Sequence, residues 1–390
     1  MTTNDGRQTT QAQDIHQDVP IRRRWHLEKV GQPQSGAIAE VLGAIRMLNS
    51  TFAPIPSPVA VVKGTDGHLW MVTPHGPGVW EWTHVKGAAD QPVGVVAVDD
   101  DSRGTRPYIF VLLDRQLQLY WWDGTKWVPT ALGTPPGTTL TEGIGAVSLA
   151  LVPGASAQPF VVVRGQDTNL WAGWWNPTQH RWQWANLRHP EGVGLSGKIG
   201  VVAVTDRATG HGLLHVYMNG GDGNLWLCVS DTGETRWTNL EKPPVPSSGT
   251  AGVTAVQNAD DKAPQVCAFT TAHGQPLYAH VTDAGGTGWH DAGAPPGEQV
   301  NLGLGTALVQ SRAGGDFFPA ALVGDTTAAV WADQADTEGR WSWSRVGDLV
   351  RDVFESQLGE GVIIEDSPEI TYTHVFLLSR GGVLYDACYG

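Results

Sequence analysis

Apolar residues fall into short runs along this chain, each closed by a turn and followed by an apolar–aromatic pair. The runs cover residues 59–62, 108–113, 160–163, 214–217, 266–269, 320–323 and 375–378. The pairs that follow them are Leu69-Trp70, Leu119-Tyr120, Leu170-Trp171, Leu225-Trp226, Leu277-Tyr278, Val330-Trp331 and Leu384-Tyr385, and their aromatic members recur every 50 to 55 residues. Turns such as Gly64-Thr65-Asp66-Gly67 and Gly221-Asp222-Gly223 supply the residues that tolerate a positive φ in a tight hairpin. A tryptophan follows each hairpin but the last, at Trp82, Trp127, Trp184, Trp237, Trp289 and Trp343. A glycine then opens a strand of small apolar residues, at Gly43, Gly94, Gly145, Gly200, Gly252, Gly305 and Gly361. Runs of four to eight residues between Gly/Pro turns predict strands, four to a unit, which is the cadence of a propeller blade.

The ends of the chain set the blade count. Seven aromatic hairpins are followed by only six tryptophans, and the chain stops five residues after Tyr385. The missing strand is at the other end, where residues 24–31 resemble the segments that start at Trp343 and Trp184. The expected fold is therefore all-β: a seven-bladed β-propeller of four-stranded blades, with the last blade closed by the N-terminal strand. Residues 22–390 form the propeller and residues 1–21 a flexible tail. Closure removes the unpaired strand edges that an open ring would expose. Small residues three positions after the glycines (Ala97, Ala203, Ala255) suit the crowded innermost strand, where blade 1 has Arg46 instead.

Charge and cysteine usage narrow the function. With Lys+Arg 25 against Asp+Glu 39, the net charge is −14, which argues against nucleic acid or an anionic membrane surface as partner. No apolar run reaches the length of a membrane span, and residues 1–20 lack the apolar core of a secretory signal, so the expected location is cytoplasmic or release without a classical signal. Cys228, Cys267 and Cys388 have neither disulfide-framework nor metal-ligand spacing. No cofactor or metal motif is present, and G-x-S-x-G, phosphate-loop and H-E-x-x-H patterns are missing.

The chain has 18 tryptophans, more than the repeat needs. Trp121-Trp122 and Trp174-Trp175 are adjacent, so one ring of each pair points away from its neighbour on a strand. These four rings are expected to meet across one groove between blades 2 and 3. Stacking on the C–H face of a sugar is the natural use of such rings, with Asp123, Asn176 and Gln179 as hydrogen-bonding groups. The repeated unit (an apolar run, Gly-x-Asp-Gly-x-Leu-Trp, Trp-x-x-Leu, Pro-x-Gly) resembles the blades of seven-bladed bacterial lectins of the PLL type, and more loosely tectonin-type and fungal fucose-binding propellers. That resemblance implies ligand sites between adjacent blades. The turns at Asp114-Arg115-Gln116-Leu117 and His273-Gly274-Gln275-Pro276 depart from the pattern, as does the unit of Trp331.

Two readings follow. The first is a carbohydrate-binding propeller with a glycan or small-molecule ligand, in which avidity comes from several sites or a homo-oligomer. The second is an enzyme with one asymmetric site on the axial face, a polysaccharide lyase, glycosidase or biosynthetic cyclase, with Arg46, Asp99 and Glu365 as its catalytic set. Fold alone does not choose between them.

Overall fold

The computed structural model describes residues 23–49, 51–76, 78–100, 104–176, 178–231, 234–244, 249–257, 264–271, 274–283, 286–310, 315–336, 340–348, 354–356, 362–367 and 370–390. Seven antiparallel blades surround an axis. Blade 1 comprises Ile38–Asn49, Ala53–Gly64, His68–Gly76 and Val79–Ala88; blade 2 Gln91–Asp100, Gly104–Leu113, Gln116–Trp122 and Trp127–Gly133; blade 3 Leu140–Leu149, Gln158–Gly165, Leu170–Asn176 and Arg181–Arg188. Blade 4 comprises Leu195–Thr205, Gly212–Gly220, Leu225–Ser230 and Thr235–Asn239; blade 5 Gly249–Val256, Gln265–Thr271, Leu277–Asp283 and Gly286–Gly293; blade 6 Val300–Gln310, Phe317–Asp325, Ala329–Ala335 and Trp341–Asp348. Among the described residues no helix is long and apolar enough to cross a membrane.

Blade 7 joins the two ends of the chain. Its inner strand is described in two pieces, Phe354–Ser356 and Val362–Ser367, both paired with Ile370–Ser379. Leu384–Tyr389 follows, and Trp25–Gly31 pairs antiparallel with it as the outermost strand. Arg24 and Gly390 exchange backbone hydrogen bonds of 3.2 and 3.4 Å. The expected closure is present, but its register differs from the sequence alignment. Trp25 stands opposite Tyr389 and Leu27 opposite Ala387, whereas Trp341 stands opposite Ala335 and Trp343 opposite Asp333. Trp25 is thus the counterpart of Trp341, and Leu27 that of Trp343. The proposed tail and Gly361 lie outside the described residues.

The second strand of each blade is apolar on both faces because a neighbouring blade covers each side. Val59, Ala60, Val61 and Val62 are all fully buried, as are Val161, Val162 and Val163. The inner strands begin three to five residues before the repeated glycines, not at them. The glycines instead sit where the strand register slips, after Val41, Pro92, Gly143, Lys198, Thr250 and Gly303. Each such β-bulge bends the strand, and the bend brings it against the next blade. A Cβ at Gly43 would stand 2.9 Å from Val95 Cγ1, one at Gly94 2.9 Å from the Ala146 nitrogen, and one at Gly200 2.5 Å from Val253 Cγ1. Glycine recurs because the residue after the next blade's glycine fills the space its side chain would take.

Blade 2 corrects another alignment. Its central hairpin turns on only two residues, Asp114 and Arg115, at φ of 52° and 60°. Two positive φ values make the type I′ turn that suits a two-residue hairpin. The hairpin is therefore shorter, and the buried leucine of the repeat is Leu117, followed by Gln118 in the aromatic position. Tyr120 lies two residues further on, its hydroxyl 3.2 Å from the Ala88 carbonyl of blade 1.

Candidate functional site

Most repeated tryptophans hold blades together. The hairpin indoles donate to the turn aspartate: Trp171 to Asp167 at 3.3 Å, Trp226 to Asp222 at 3.3 Å, Trp331 to Asp325 at 2.8 Å. The unit of Trp331, which lacks the sequence motif, recovers the contact from an aspartate two residues further upstream. The post-hairpin indoles reach back one blade: Trp237 to the Leu187 carbonyl at 2.9 Å, Trp289 to Leu240 and Trp343 to Ala292, both at 3.1 Å. The indole N–H groups of Trp237, Trp289 and Trp343 are thereby satisfied across blade boundaries.

The second column of outer-strand tryptophans sits two residues earlier and plugs the inter-blade grooves. Trp80 packs on Phe376 of blade 7 with centroids 5.8 Å apart, Trp182 on Phe110 of blade 2 at 5.8 Å, and Trp341 on Phe269 of blade 5 at 5.6 Å. Trp25 and Trp127 hold the same register in their blades. Blades 4 and 5 have Thr235, opposite Ser230, and Thr287, opposite Thr282. Between blades 4 and 5 the fully buried Tyr217 takes up the room. Between blades 3 and 4 the phenylalanine position is Val162, and neither large ring is present.

A cavity of about 250 Å³ opens there, lined by Leu149, Leu151, Phe160, Ala172, Trp174, Ala185, Asn186 and Leu214, with Ser230, Asp231 and Thr235 from blade 4. Phe160 and Trp174 face each other across the strand pair, centroids 5.6 Å apart and 8° from parallel, and form its aromatic wall. Among the described residues the other cavity of note, about 300 Å³, is the axial channel, walled by the bulge glycines and their valine neighbours.

The four tryptophans expected in one groove are distributed over three. Trp121 and Trp174 are repeat equivalents, paired with Tyr108 and Phe160, and each faces the next blade. Trp121 packs in the cluster between blades 2 and 3, where Trp182 fills the space, and its Nε1 donates to Thr130 Oγ1 at 3.2 Å. Arg106 lies over its ring, 5.6 Å from the centroid. Trp174 looks into the open groove of blades 3 and 4. Trp122 faces back to blade 1, 4.5 Å from Phe52. Trp175 shares the strand face of Trp171, toward blade 2, and is exposed at 38%. Side-chain alternation and the two-residue shift in blade 2 produce this scatter.

Asp123, Asn176 and Gln179 are engaged in their own turns. Asp123 Oδ1 accepts from the Thr125 and Lys126 amides and the Thr125 hydroxyl, bonds that hold its carboxyl below the usual range. Asn176 Oδ1 accepts from the Thr178 and Gln179 amides, and Gln179 Oε1 from Arg181 Nε. The polar groups that line the groove, Asn186, Ser230, Asp231 and Thr235, were missed in the sequence. Their one signal is a threonine in a column of tryptophans.

Arg46 is half-buried with its Nε unpartnered, and Asp99, which is exposed, accepts from Thr105 Oγ1 at 3.1 Å. Glu365 pairs with Thr371 in the backbone ladder of blade 7, and its side chain lies outside the described residues. In the groove between blades 7 and 1, the equivalents of Phe160, Trp174 and Ala172 are His374, Cys388 and Asp386. His374 Nδ1 lies 2.7 Å from Asp386 Oδ2, and Cys388 Sγ 3.8 Å from His374 Nε2. Burial alone would push the imidazole down, but the Asp386 carboxylate and these hydrogen bonds hold it up at about 10.

No family model and no curated protein sequence matches the chain. Solved structures do match its fold. The BP39L lectin of Burkholderia pseudomallei superposes with a TM-score of 0.58 at 16% identity, covering 94% of this chain and 95% of that one. A fucose-specific lectin of Aleuria aurantia gives 0.52 at 15% identity, covering 81% of this chain and 99% of that one. An Aleuria aurantia lectin described as a six-bladed β-propeller gives 0.50 at 13% identity, with 85% and 98% coverage, as six blades out of seven would.

Proposed function

We propose that this protein binds a neutral sugar ring, and that the groove between blades 3 and 4 is its site. The supporting observation is that this groove is open where its counterparts are plugged, because Val162 and Thr235 replace a phenylalanine and a tryptophan. The Phe160–Trp174 wall offers an apolar face for ring C–H groups, and Asn186, Ser230, Asp231 and Thr235 offer short polar groups for hydroxyls. Lectins of similar fold that carry fucosides make α-methyl fucoside a fitting first probe. Stacking contributes on the order of 1 kcal/mol per ring, so one such site binds weakly, and useful avidity requires further sites or copies.

The test uses two opposite changes. Trp174→Ala removes the stacking ring, and Thr235→Trp restores the plug found in five other blades. Both are expected to abolish retention on a glycan array without unfolding the ring. Undiminished glycan binding by both variants, each with native circular dichroism, sinks this site.

A further inference from the structure

The groove between blades 1 and 2 is built on the same repeat positions, and the protein itself occupies it. Where blade 4 has Ser230 and Thr235, blade 2 has Trp122 and Trp127, with ring centroids 5.7 Å apart. Phe52, from the hairpin joining the two inner strands of blade 1, lies against both. Its ring is 4.5 Å from Trp122, edge-on, and 6.1 Å from Trp127, 28° from parallel.

The Nε1 atoms of Trp122 and Trp127 are both buried with no hydrogen-bond partner. An indole N–H withdrawn from water without an acceptor is destabilising, and Phe52 offers none. Phe52 is also only half-buried at the edge of the blade 1 core, and Ile55, three residues on, has 65% of its surface exposed. An apolar ring beside two orphan donors is a poor match; a ring that pairs an apolar C–H face with oxygen acceptors fits better.

We infer that Phe52 is an internal occupant of a second sugar site, which a neutral pyranose ring enters by displacing it. The ligand stacks on Trp127 in place of the phenyl ring, and hydroxyl oxygens at its rim accept from the two indole N–H groups. The proposal rests on the reading that these grooves take sugar rings, but its residues are separate from Trp174. In the native state Phe52 competes with the ligand, so this site is weaker than the open groove of blades 3 and 4.

The experiment uses the native full chain and the full chain with Trp174→Ala, which disables the first site, the latter alone and combined with Phe52→Ala. The probes are the methyl glycosides of fucose, galactose, glucose and mannose. The readout is the indole 1H–15N spectrum, with signals assigned through Trp122→Phe and Trp127→Phe. The expected result is that Phe52→Ala lowers the half-saturating concentration of at least one glycoside tenfold or more, with shifts at the Trp122 and Trp127 indoles. Phe52→Leu, which keeps an apolar contact but no ring, is expected to move in the same direction by less and serves should the alanine variant fail to fold. Silence of both indoles toward all four glycosides in the folded variants overturns the proposal. A response confined to proteins retaining Trp174 overturns it as well, and leaves the first site standing.

Discussion

At the scale of single residues, two buried ionisable groups each make stability fall as pH rises, over different ranges and with opposite consequences for their substitution. Asp333 is fully buried in blade 6, with both carboxylate oxygens unpartnered, and burial pushes it up to about 8. It is therefore protonated in the fold while the unfolded chain ionises near 3.8, so stability falls as pH rises between those values. Asp333→Asn is expected to gain a few kcal/mol over the native protein at pH 8, because each tenfold change in proton affinity between the two states is worth roughly 1.4 kcal/mol. The gain should vanish near pH 4. A difference in urea midpoint that does not vary with pH would refute this. His374 has the same sign over a higher range, but here the folded state's hold on the proton is stabilising. Its imidazolium is held by Asp386, so the contribution of the pair is fully present below the unfolded value of 6.5 and disappears as pH climbs through about 10. His374→Asn is expected to cost most stability at pH 6, with the loss shrinking toward pH 10. The same melts over pH 6 to 10 check it, and a loss that grows with pH contradicts the assigned ion pair.

At the scale of strands and turns, the bulge glycines make a sharp prediction. Gly200→Ala places a Cβ 2.5 Å from Val253 Cγ1, whereas a Cβ at Gly288, also in a strand, meets nothing within 4 Å. Overpacking at Gly200 is expected to cost about 1–3 kcal/mol, while Gly288→Ala is expected to be neutral or to stabilise by about 0.4–1 kcal/mol. Guanidinium midpoints with equal slopes decide it. This scale also shows what the sequence makes legible. Strand number, blade count and closure follow from a pattern repeated seven times, so no single aberrant unit hides them. Position within a unit is fragile. The two-residue turn at Asp114-Arg115 shifts blade 2 by two places, and that is why Trp121 and Trp122 could not be aligned with Trp174 and Trp175. The open groove was not legible for a different reason. It exists because two large side chains are missing, Val162 for a phenylalanine and Thr235 for a tryptophan, and the gap appears once the neighbouring blade is in place.

At the scale of the whole ring, blade 7 controls stability. Removing residues 1–31 takes away Trp25–Gly31, leaves Leu384–Tyr389 as an open edge, and uncovers Gly347, against which Leu27 packs. The loss is expected to reach several kcal/mol, whereas removing residues 1–20 spares that strand and is expected to leave the melting temperature nearly unchanged. Equal melting temperatures for the two truncations would contradict the closure.

The same joint has a kinetic consequence. The first strand of the ring to leave the ribosome is the last to find its partner, because among the described residues Trp25–Gly31 pairs with Leu384–Tyr389 alone. Closing a loop of nearly the full chain length raises the contact order, and topologies rich in such distant pairings fold slowly. Six blades can assemble by local hairpins during synthesis while the N-terminal strand remains unpaired. Once Leu384–Tyr389 is made, and until it closes on Trp25–Gly31, the chain carries two mutually complementary edges, and at high concentration each can pair with the opposite edge of another molecule. Exchange of Trp25–Gly31 between chains is therefore the natural route to a swapped dimer, and slow dilute refolding is the condition that favours the closed monomer.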